Sequence, residues 1–235
     1  MTSRTSVVMP VRNGVQFIAD ALDSVLPQLA ADDELIVVDD ASTDNTRSVL
    51  ARIPDPRIRI LDGDGRGSSS ARNIGLAAAI GEFIAFLDHD DLWPAERHRA
   101  MLQALLQDRQ LDAVFGRIRI RLDPGGVWWP WMVHQDGLHA PGSNLGNALY
   151  RRNILRQIAG FDECLRFGED LEYFNRLQQA GIRFALCDFD GMIYRRHKAN
   201  ITNDQRAMKS MVFDLIRRRR SQTARFPSCV DGEQS

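Results

Sequence analysis

The sequence has little cysteine and lacks the cysteine spacing that binds zinc. Its 235 residues include three cysteines, Cys164, Cys187 and Cys229, which lie far apart and form no Cys-x-x-Cys pair. This arrangement argues against a zinc site and against a disulfide framework. Because thiols stay reduced in the cytoplasm, we expect a cytoplasmic protein.

Long apolar runs and an excess of charge of one sign are also missing. No apolar run approaches the roughly 20 residues that a membrane-spanning helix needs, and the N-terminus has no signal-peptide layout. The net charge of −1 gives no electrostatic basis for binding nucleic acid. With 44% hydrophobic and 26% charged residues, the composition is typical of a globular protein with a substantial core.

The first half of the chain alternates short buried strands with helices. Continuous apolar runs at residues 6–10, 34–38, 58–61, 83–87 and 113–115 predict strands, and helices are expected between them. Strands that are buried on both faces belong to parallel sheets covered by helices. The sequence therefore predicts an α/β fold with right-handed crossovers and a mainly parallel central sheet.

The second half has a different pattern. Residues 117–122 alternate arginine with isoleucine or leucine, which predicts a half-solvated strand. A long irregular stretch follows at residues 123–142, and loops of that length usually serve a function. Further helices and short strands are expected at residues 151–158, 169–179, 184–186, 192–194 and 203–219. We expect one domain, with a nucleotide-type half at 1–116, an acceptor-type half at 117–220 and a disordered tail at 221–235.

Acidic side chains follow two of the predicted strands. Asp39 and Asp40 end the second strand, and Asp88, Asp90 and Asp91 follow the fourth. Ligands of open α/β sheets bind beyond the carboxyl ends of the strands. A cation that prefers oxygen ligands, Mg²⁺ or Mn²⁺, would relieve the repulsion between such acids, and the pattern suggests a nucleotide diphosphate ligand. The alternative, that each acid only caps the following helix, stays open.

A glycine-rich loop at residues 63–67 precedes the third predicted helix. Its Gly-x-Gly-x-Gly spacing departs from the dinucleotide fingerprint and it follows the third strand, so a surface turn explains it equally well. Arg72 lies at the start of the helix, where backbone N–H groups and a cation suit an anion or a carbonyl-rich base. The alternative for Arg72 is a surface salt bridge.

Six motifs stand in the order and spacing of one enzyme family. They occupy residues 8–13, 37–44, 71–76, 86–91, 160–163 and 167–172. Together they resemble the family-2 glycosyltransferases, the first four matching the nucleotide-sugar half and the last two the acceptor half. The resemblance implies the GT-A fold, with a Rossmann-like, mainly parallel central sheet, flanking helices and a smaller mixed sheet in the acceptor half.

The resemblance also implies a site for the donor nucleotide. Its residues are Pro10, Val11, Arg12, Asp40, Arg72, Asp88 and His89. Asp40 resembles the family's acid that contacts uracil, and Arg72 resembles the arginine that reads the nucleotide.

Residues 88–90 resemble the family's Asp-x-Asp motif. The resemblance implies that Asp88 faces the ribose and that Asp90 ligates Mn²⁺ or Mg²⁺ between the two phosphates. Asp91 is expected to cap the next helix. His197 resembles a late histidine that binds diphosphate or completes the metal shell, and a surface histidine is the alternative.

Asp170 occupies the place of the family's general base, with Glu169 beside it as a helper. Single displacement needs a carboxylate to take the proton of the acceptor hydroxyl. The alternative is an acidic first turn that satisfies the helix dipole. Trp128, Trp129 and Trp131 are expected to stack on the acceptor, and a small loop core or a membrane-interface contact is the alternative.

The implied function is that of a metal-dependent, inverting glycosyltransferase. It moves a sugar from a nucleotide diphosphate sugar, and a UDP-sugar is the expected donor. The acceptor hydroxyl would belong to a glycan, a lipid-linked sugar, a small molecule or a polypeptide. Two alternatives are a non-catalytic nucleotide- or carbohydrate-binding module of this fold and a nucleotidyltransferase. No nucleic-acid partner is expected. A homodimer and a peripheral contact with the inner face of the membrane, through basic residues 217–220, stay open.

Overall fold

The computed structural model describes residues 3–127, 144–165 and 167–203. The three tryptophans expected at the acceptor, Trp128, Trp129 and Trp131, lie outside these ranges. The same holds for residues 204–235, where a helix and a tail are expected. In the described ranges no helix combines the length and the apolar character needed to cross a membrane.

The helices and strands follow the alternation predicted from the sequence. The strands are β1 (Thr5–Val11), β2 (Glu34–Asp39), β3 (Ile58–Asp62), β4 (Phe83–Phe86), β5 (Ala113–Leu122), β6 (Ala148–Arg151) and β7 (Phe184–Arg196). The α-helices are α1 (Ile18–Val25), α2 (Thr46–Leu50), α3 (Ser68–Ala78), α4 (Arg97–Gln107), α5 (Arg152–Leu155) and α6 (Glu169–Gln179). Short 3₁₀ helices cover Leu26–Gln28, Leu145–Asn147 and Ile201–Asn203.

All seven strands join one sheet in the order β3-β2-β1-β4-β6-β5-β7. The first four strands pair in parallel, β6 runs antiparallel to both β4 and β5, and β7 is parallel to β5. This confirms the α/β fold class. In the described ranges the strands of the acceptor half extend the central sheet, and they form no separate smaller sheet of the kind that the resemblance implies.

Three elements of the acceptor half differ from the sequence prediction. The strands expected at 184–186 and 192–194 are one continuous strand, β7, which pairs with β5 along its length. β6 was not predicted, because four residues are too few to show a period. The helix expected at 151–158 is confined to Arg152–Leu155.

The core lies on both faces of the sheet. Val7 and Met9 of β1 pack with Ile18 and Leu22 of α1 on one face. Val8 packs on the other face, in the cluster that includes residues of α3 and α6. Strand β1 is therefore buried on both sides, as its uninterrupted apolar run predicts.

One cysteine, Cys164, is disulfide-bonded. A single bond of this kind is not the disulfide framework that the cysteine spacing argues against. It does differ from the expectation of a setting in which thiols stay reduced.

Helix α3 approaches β1 closely through Gly75. A Cβ atom at Gly75 would lie 2.4 Å from Cγ1 of Val8 and 3.4 Å from Cγ2 of Val38. Glycine is thus required by the packing of helix on sheet, since its backbone φ is not positive. The close approach brings the first turn of α3 to the carboxyl ends of the strands.

The Gly75→Ala variant tests this packing. We expect it to lower the free energy of unfolding by about 1–3 kcal/mol, because the new methyl group overlaps Val8. In an open helix position the same change would stabilise by up to about 1 kcal/mol, so the sign reports the contact. Ala77→Ser adds one atom on the exposed face of the same helix and is the matched control. Urea unfolding measures both, and a Gly75→Ala protein as stable as wild type would contradict the contact.

Candidate active site

The ends of three parallel strands meet at one edge of the sheet. In register, Pro10 of β1 lies opposite Val38 of β2, and Val8 lies opposite Phe86 of β4. The acids that follow β2 and β4 therefore flank the end of β1. This is the crevice in which open α/β sheets bind ligands, as the sequence predicts.

Asp40 holds the glycine-rich loop. Its buried carboxylate accepts hydrogen bonds from the backbone N–H groups of Gly65 and Gly67, both at 2.8 Å. Both glycines have positive φ, +77° and +103°, where a residue with a Cβ would be strained. Arg12 donates to the carbonyl of Gly65 at 3.2 Å, and its Nη1 lies 3.9 Å from Asp40. Because a carboxylate has about four lone-pair sites, Asp40 can still accept another donor.

His89 packs against the turn that follows β1. A Cβ atom at Gly14 would lie 2.5 Å from Cδ2 of His89 and 2.6 Å from Cγ2 of Val11. Asn13 in the same turn has φ +53°, and its side-chain oxygen accepts from the N–H of Thr43 at 2.7 Å. The turn and His89 thus form one wall of the crevice.

Arg72 connects the two halves of the site. Its Nη2 donates to Asp88 at 2.7 Å, and its Nη1 donates to Glu169 at 2.9 Å. The same Nη1 lies 3.3 Å from Oδ1 of Asp170. The surface salt bridge considered for Arg72 is therefore wrong, since the residue is buried among three carboxylates.

Asp170 lies in the first turn of α6. Gly168 precedes the helix with φ +73°, and the backbone N–H of Leu145 donates to Oδ2 of Asp170 at 3.0 Å. Burial raises the pKa of Asp170 from 3.8 to about 7, with Glu169 and Asp88 adding to the increase and Arg72 opposing it. A carboxylate with a pKa near the working pH is suited to accept a proton.

Asp90 and His197 form a second pair in the crevice. Nε2 of His197 lies 3.1 Å from Oδ2 of Asp90. The imidazole stacks on Phe17 with ring centroids 4.1 Å apart, and Asn200 lies beside it. Burial raises the pKa of Asp90, but the hydrogen bond with His197 and the neighbouring histidine charges outweigh it, so the pKa is lowered overall. The alternative of a surface histidine is wrong, because His197 is buried.

Asp91 does not cap the following helix, which corrects the sequence expectation. It accepts a hydrogen bond from the backbone N–H of Arg195 at 2.9 Å, and α4 begins only at Arg97. Leu92 forms a bridge with Ile193 beside this contact. The Asp-x-Asp segment is thus attached to β7, a long-range contact that a local capping rule does not detect.

The residues implied for a metal ion fit that role in part. The oxygen of Asp90 and the nitrogen of His197 lie 3.1 Å apart and form a hydrogen bond with each other. Both are groups that can ligate a divalent cation, and Asp90 supplies the oxygen that Mg²⁺ and Mn²⁺ prefer. In the described ranges no group of three or more Asp, Glu, His or Cys side chains is arranged for a metal. Magnesium sites of this kind are completed by substrate phosphates and water, so two protein ligands suffice.

Several contacts of the site have no signal in the sequence. The N–H of Leu145 is a backbone group, so its residue type does not reveal the contact with Asp170. Ser68 donates to Glu169 at 3.0 Å across 101 residues. Asp39 accepts from the N–H of Ser42 and lies 3.6 Å from Arg47, so it supports the loop.

A comparison of the chain with known protein families agrees with this geometry. The family described as Glycosyl transferase family 2 matches residues 6–199. The chain belongs to this family.

Curated relatives of this family-2 chain include proteins of polysaccharide synthesis. It is 32% identical over 214 residues to the succinoglycan biosynthesis protein ExoO of Rhizobium meliloti, covering 83% of this chain and 61% of ExoO. It is 38% identical over 116 residues to the Escherichia coli UDP-Glc:alpha-D-GlcNAc-diphosphoundecaprenol beta-1,3-glucosyltransferase WfgD, covering 49% of this chain and 46% of WfgD. The chain thus spans about half the length of these relatives.

Two solved structures share the fold of this chain. Staphylococcus aureus TarS, residues 1–349 with UDP-GlcNAc, has a TM-score of 0.69 at 20% identity, covering 91% of this chain and 66% of TarS. The mannosyltransferase PcManGT of Pyrobaculum calidifontis, with GDP-Man and Mn²⁺, has a TM-score of 0.69 at 23% identity, covering 92% and 64%. These likenesses confirm the GT-A fold.

The raised pKa of Asp170 makes stability depend on pH. Between its unfolded value of 3.8 and its folded value of about 7, the folded protein holds a proton that the unfolded chain has lost. This group's contribution to stability therefore falls as pH rises through that range and is level above it. We expect Asp170→Asn to gain about 1–3 kcal/mol relative to wild type between about pH 4 and pH 8.

Chemical unfolding at several pH values measures this gain. Asp23→Asn, at an exposed position of α1, is the control and should follow wild type at every pH. A constant difference between Asp170→Asn and wild type across the range would contradict burial of the charge.

Proposed function

We propose that this chain is a metal-dependent, inverting glycosyltransferase that uses a nucleotide diphosphate sugar. A UDP-sugar is the donor that we propose. The observation that carries the proposal is Asp170, a largely buried carboxylate whose pKa is raised to about 7. Through Arg72 it is joined to Asp88 at the crevice where the strands end. The proton acceptor and the donor residues thus share one site.

The donor nucleotide is proposed to bind along the end of β1. The backbone of Pro10 and Val11 lies at this strand end. Asp40 retains lone pairs that can accept from an N–H group of the nucleotide's base. His89 and Arg12 line the same crevice. The TarS complex with UDP-GlcNAc and the PcManGT complex with GDP-Man support a nucleotide sugar as ligand.

Asp90 is proposed to hold Mn²⁺ or Mg²⁺, with His197 as a second ligand or as the partner that orients Asp90. A bound metal would neutralise the negative charge that develops on the leaving diphosphate. Phe17 stacks on the imidazole, and Nδ2 of Asn200 lies 3.2 Å from Nε2, the same nitrogen that contacts Asp90. The Mn²⁺ complex of PcManGT supports a metal in this fold.

Asp170 is proposed to act as the general base in a single displacement. As the acceptor oxygen bonds to the anomeric carbon, its proton passes to the Asp170 carboxylate. The bond from the anomeric carbon to the diphosphate oxygen breaks, and the nucleoside diphosphate leaves with the bonding electrons. Attack from the face opposite the leaving group inverts the configuration.

The acceptor is proposed to be a growing glycan or a lipid-linked sugar. ExoO is named for succinoglycan biosynthesis, and WfgD for transfer to a diphosphoundecaprenol-linked sugar. Such an acceptor would place the protein at the cytoplasmic face of a membrane. The acceptor role of the three tryptophans, a homodimer and peripheral membrane contact stay predictions.

Removing Asp90 tests the metal assignment. We expect Asp90→Ala to lose the Mn²⁺-dependent part of UDP binding, measured by calorimetry with and without Mn²⁺, because the carboxylate ligand is gone. UDP release from UDP-glucose should fall by about 10²-fold or more. Asp23→Ala, at an exposed position, should behave like wild type. Equal stimulation by Mn²⁺ in Asp90→Ala would remove this assignment.

Removing the charge of Asp170 tests the base. We expect Asp170→Asn to slow UDP release from UDP-glucose or UDP-GlcNAc by about 10²–10⁴-fold, since the proton acceptor is lost. UDP affinity should stay within about threefold, because the amide keeps the size of the side chain. Asp23→Asn is the control. Normal turnover in Asp170→Asn would refute the base, and UDP binding without turnover in wild type over every acceptor tried would favour a non-catalytic module.

A further inference from the structure

Arg72 is a buried cation enclosed by carboxylates. Only 4% of the residue is exposed, and its guanidinium lies over the ring of Phe161 at 5.5 Å from the ring centre. Nη2 faces Asp88, and Nη1 faces both Glu169 and Asp170. Both terminal nitrogens therefore face protein carboxylates, whereas the resemblance implies that this arginine contacts the nucleotide.

The carboxylates around Arg72 outnumber it three to one. The side chains of Asp170 and Glu169 are 14% and 15% exposed, whereas that of Asp88 is 28% exposed. One cation cannot neutralise three carboxylates in a poorly solvated site. Asp170 is the one of the three with a buried oxygen, Oδ1, that has no hydrogen-bond partner.

Glu169 and Asp170 compete for the same nitrogen of Arg72. Glu169 has the shorter contact, 2.9 Å against 3.3 Å, and its Oε1 also accepts from the hydroxyl of Ser68 at 3.0 Å. Oδ1 of Asp170 makes no hydrogen bond of its own, while Oδ2 is held by the N–H of Leu145. Glu169 thus prevents the arginine from engaging Asp170 fully.

We propose that Arg72 and Glu169 are opposing positioning residues for Asp170. Arg72 orients and stabilises the carboxylate, and Glu169 shares the same nitrogen and keeps that carboxylate reactive toward a proton. The inference rests on the proposed function, because Asp170 matters to catalysis only as the base. The arrangement itself does not depend on the identity of donor or acceptor.

Two other described residues, Asp88 and Tyr150, act on Asp170 or lie near it. Asp88 lies across Arg72 and acts in the same direction as Glu169. Tyr150 on β6 is fully buried near Asp170, whose charge adds to the effect of burial in raising the pKa of the phenol. Tyr150 therefore stays neutral. Within the described ranges, Arg72 is the cation that opposes the raised pKa of Asp170.

The test follows the Asp170 carboxyl directly by NMR. The full chain is labelled with ¹³C at the aspartate side-chain carbonyl, and the Asp170 signal is identified by its loss in Asp170→Asn. We expect the titration midpoint to rise by about one pH unit or more in Arg72→Gln, because the stabilising cation is removed. We expect it to fall by about half a unit or more in Glu169→Gln, because a competing negative charge is removed. If Arg72 and Glu169 had only a structural role, the two variants would not shift the Asp170 midpoint in opposite directions.

Two controls keep the test decisive. Arg59→Gln removes an arginine paired with the buried Glu34 and should leave the midpoint of Asp170 unchanged. If Arg72→Gln does not fold, Arg72→Lys, which keeps the charge, and Glu169→Gln still decide the proposal. A midpoint in Glu169→Gln that stays within about 0.2 units of wild type, or rises, would overturn it.

The same variants separate this proposal from the proposed function. If wild type turns over UDP-glucose, the acid limb of the pH dependence of kcat/KM should move in the directions of the NMR midpoints. If no turnover is found, the glycosyltransferase proposal fails while the NMR shifts still test the positioning roles.

Discussion

The site depends on one interaction, the buried contact of Arg72 with carboxylates from both halves of the chain. Arg72 comes from α3, Asp88 follows β4, and Glu169 and Asp170 begin α6. Breaking a buried ion pair leaves an uncompensated charge and is strongly destabilising. The crevice and helix α6, which carries Asp170, are therefore held in register by electrostatics as well as by packing.

Parts of this arrangement could be predicted from the sequence. The apolar runs of β1, β2 and β4 show strands buried on both faces, and parallel strands place the acids that follow them at one edge. Asp40, Asp88 and Asp90 were found in this way. The link to Asp170 came from a family resemblance, because 80 residues and a change of sheet direction separate it from Asp90.

Other parts lay beyond sequence reasoning because they are long-range. A local rule makes Asp91 a helix cap, whereas the fold pairs it with the N–H of Arg195, 104 residues away. Burial of Arg72, the fifth residue of α3, also has no sequence signal, since arginine is mostly exposed in folded proteins. β6 contains four residues, too few for a period. It nevertheless runs antiparallel to its neighbours and follows Leu145, whose N–H contacts Asp170.

The attachment of the Asp-x-Asp segment to β7 has a consequence for synthesis of the chain. His197 follows Asp90 by 107 residues, so a nascent chain carries one member of the pair long before the other. At about 5–20 residues per second, the interval is on the order of 5–20 s. Throughout that interval the first half of the chain lacks β7, the strand that supports Asp91. The nascent first half would therefore hold Asp90 and Asp91 without these partners until the polypeptide had grown past β7.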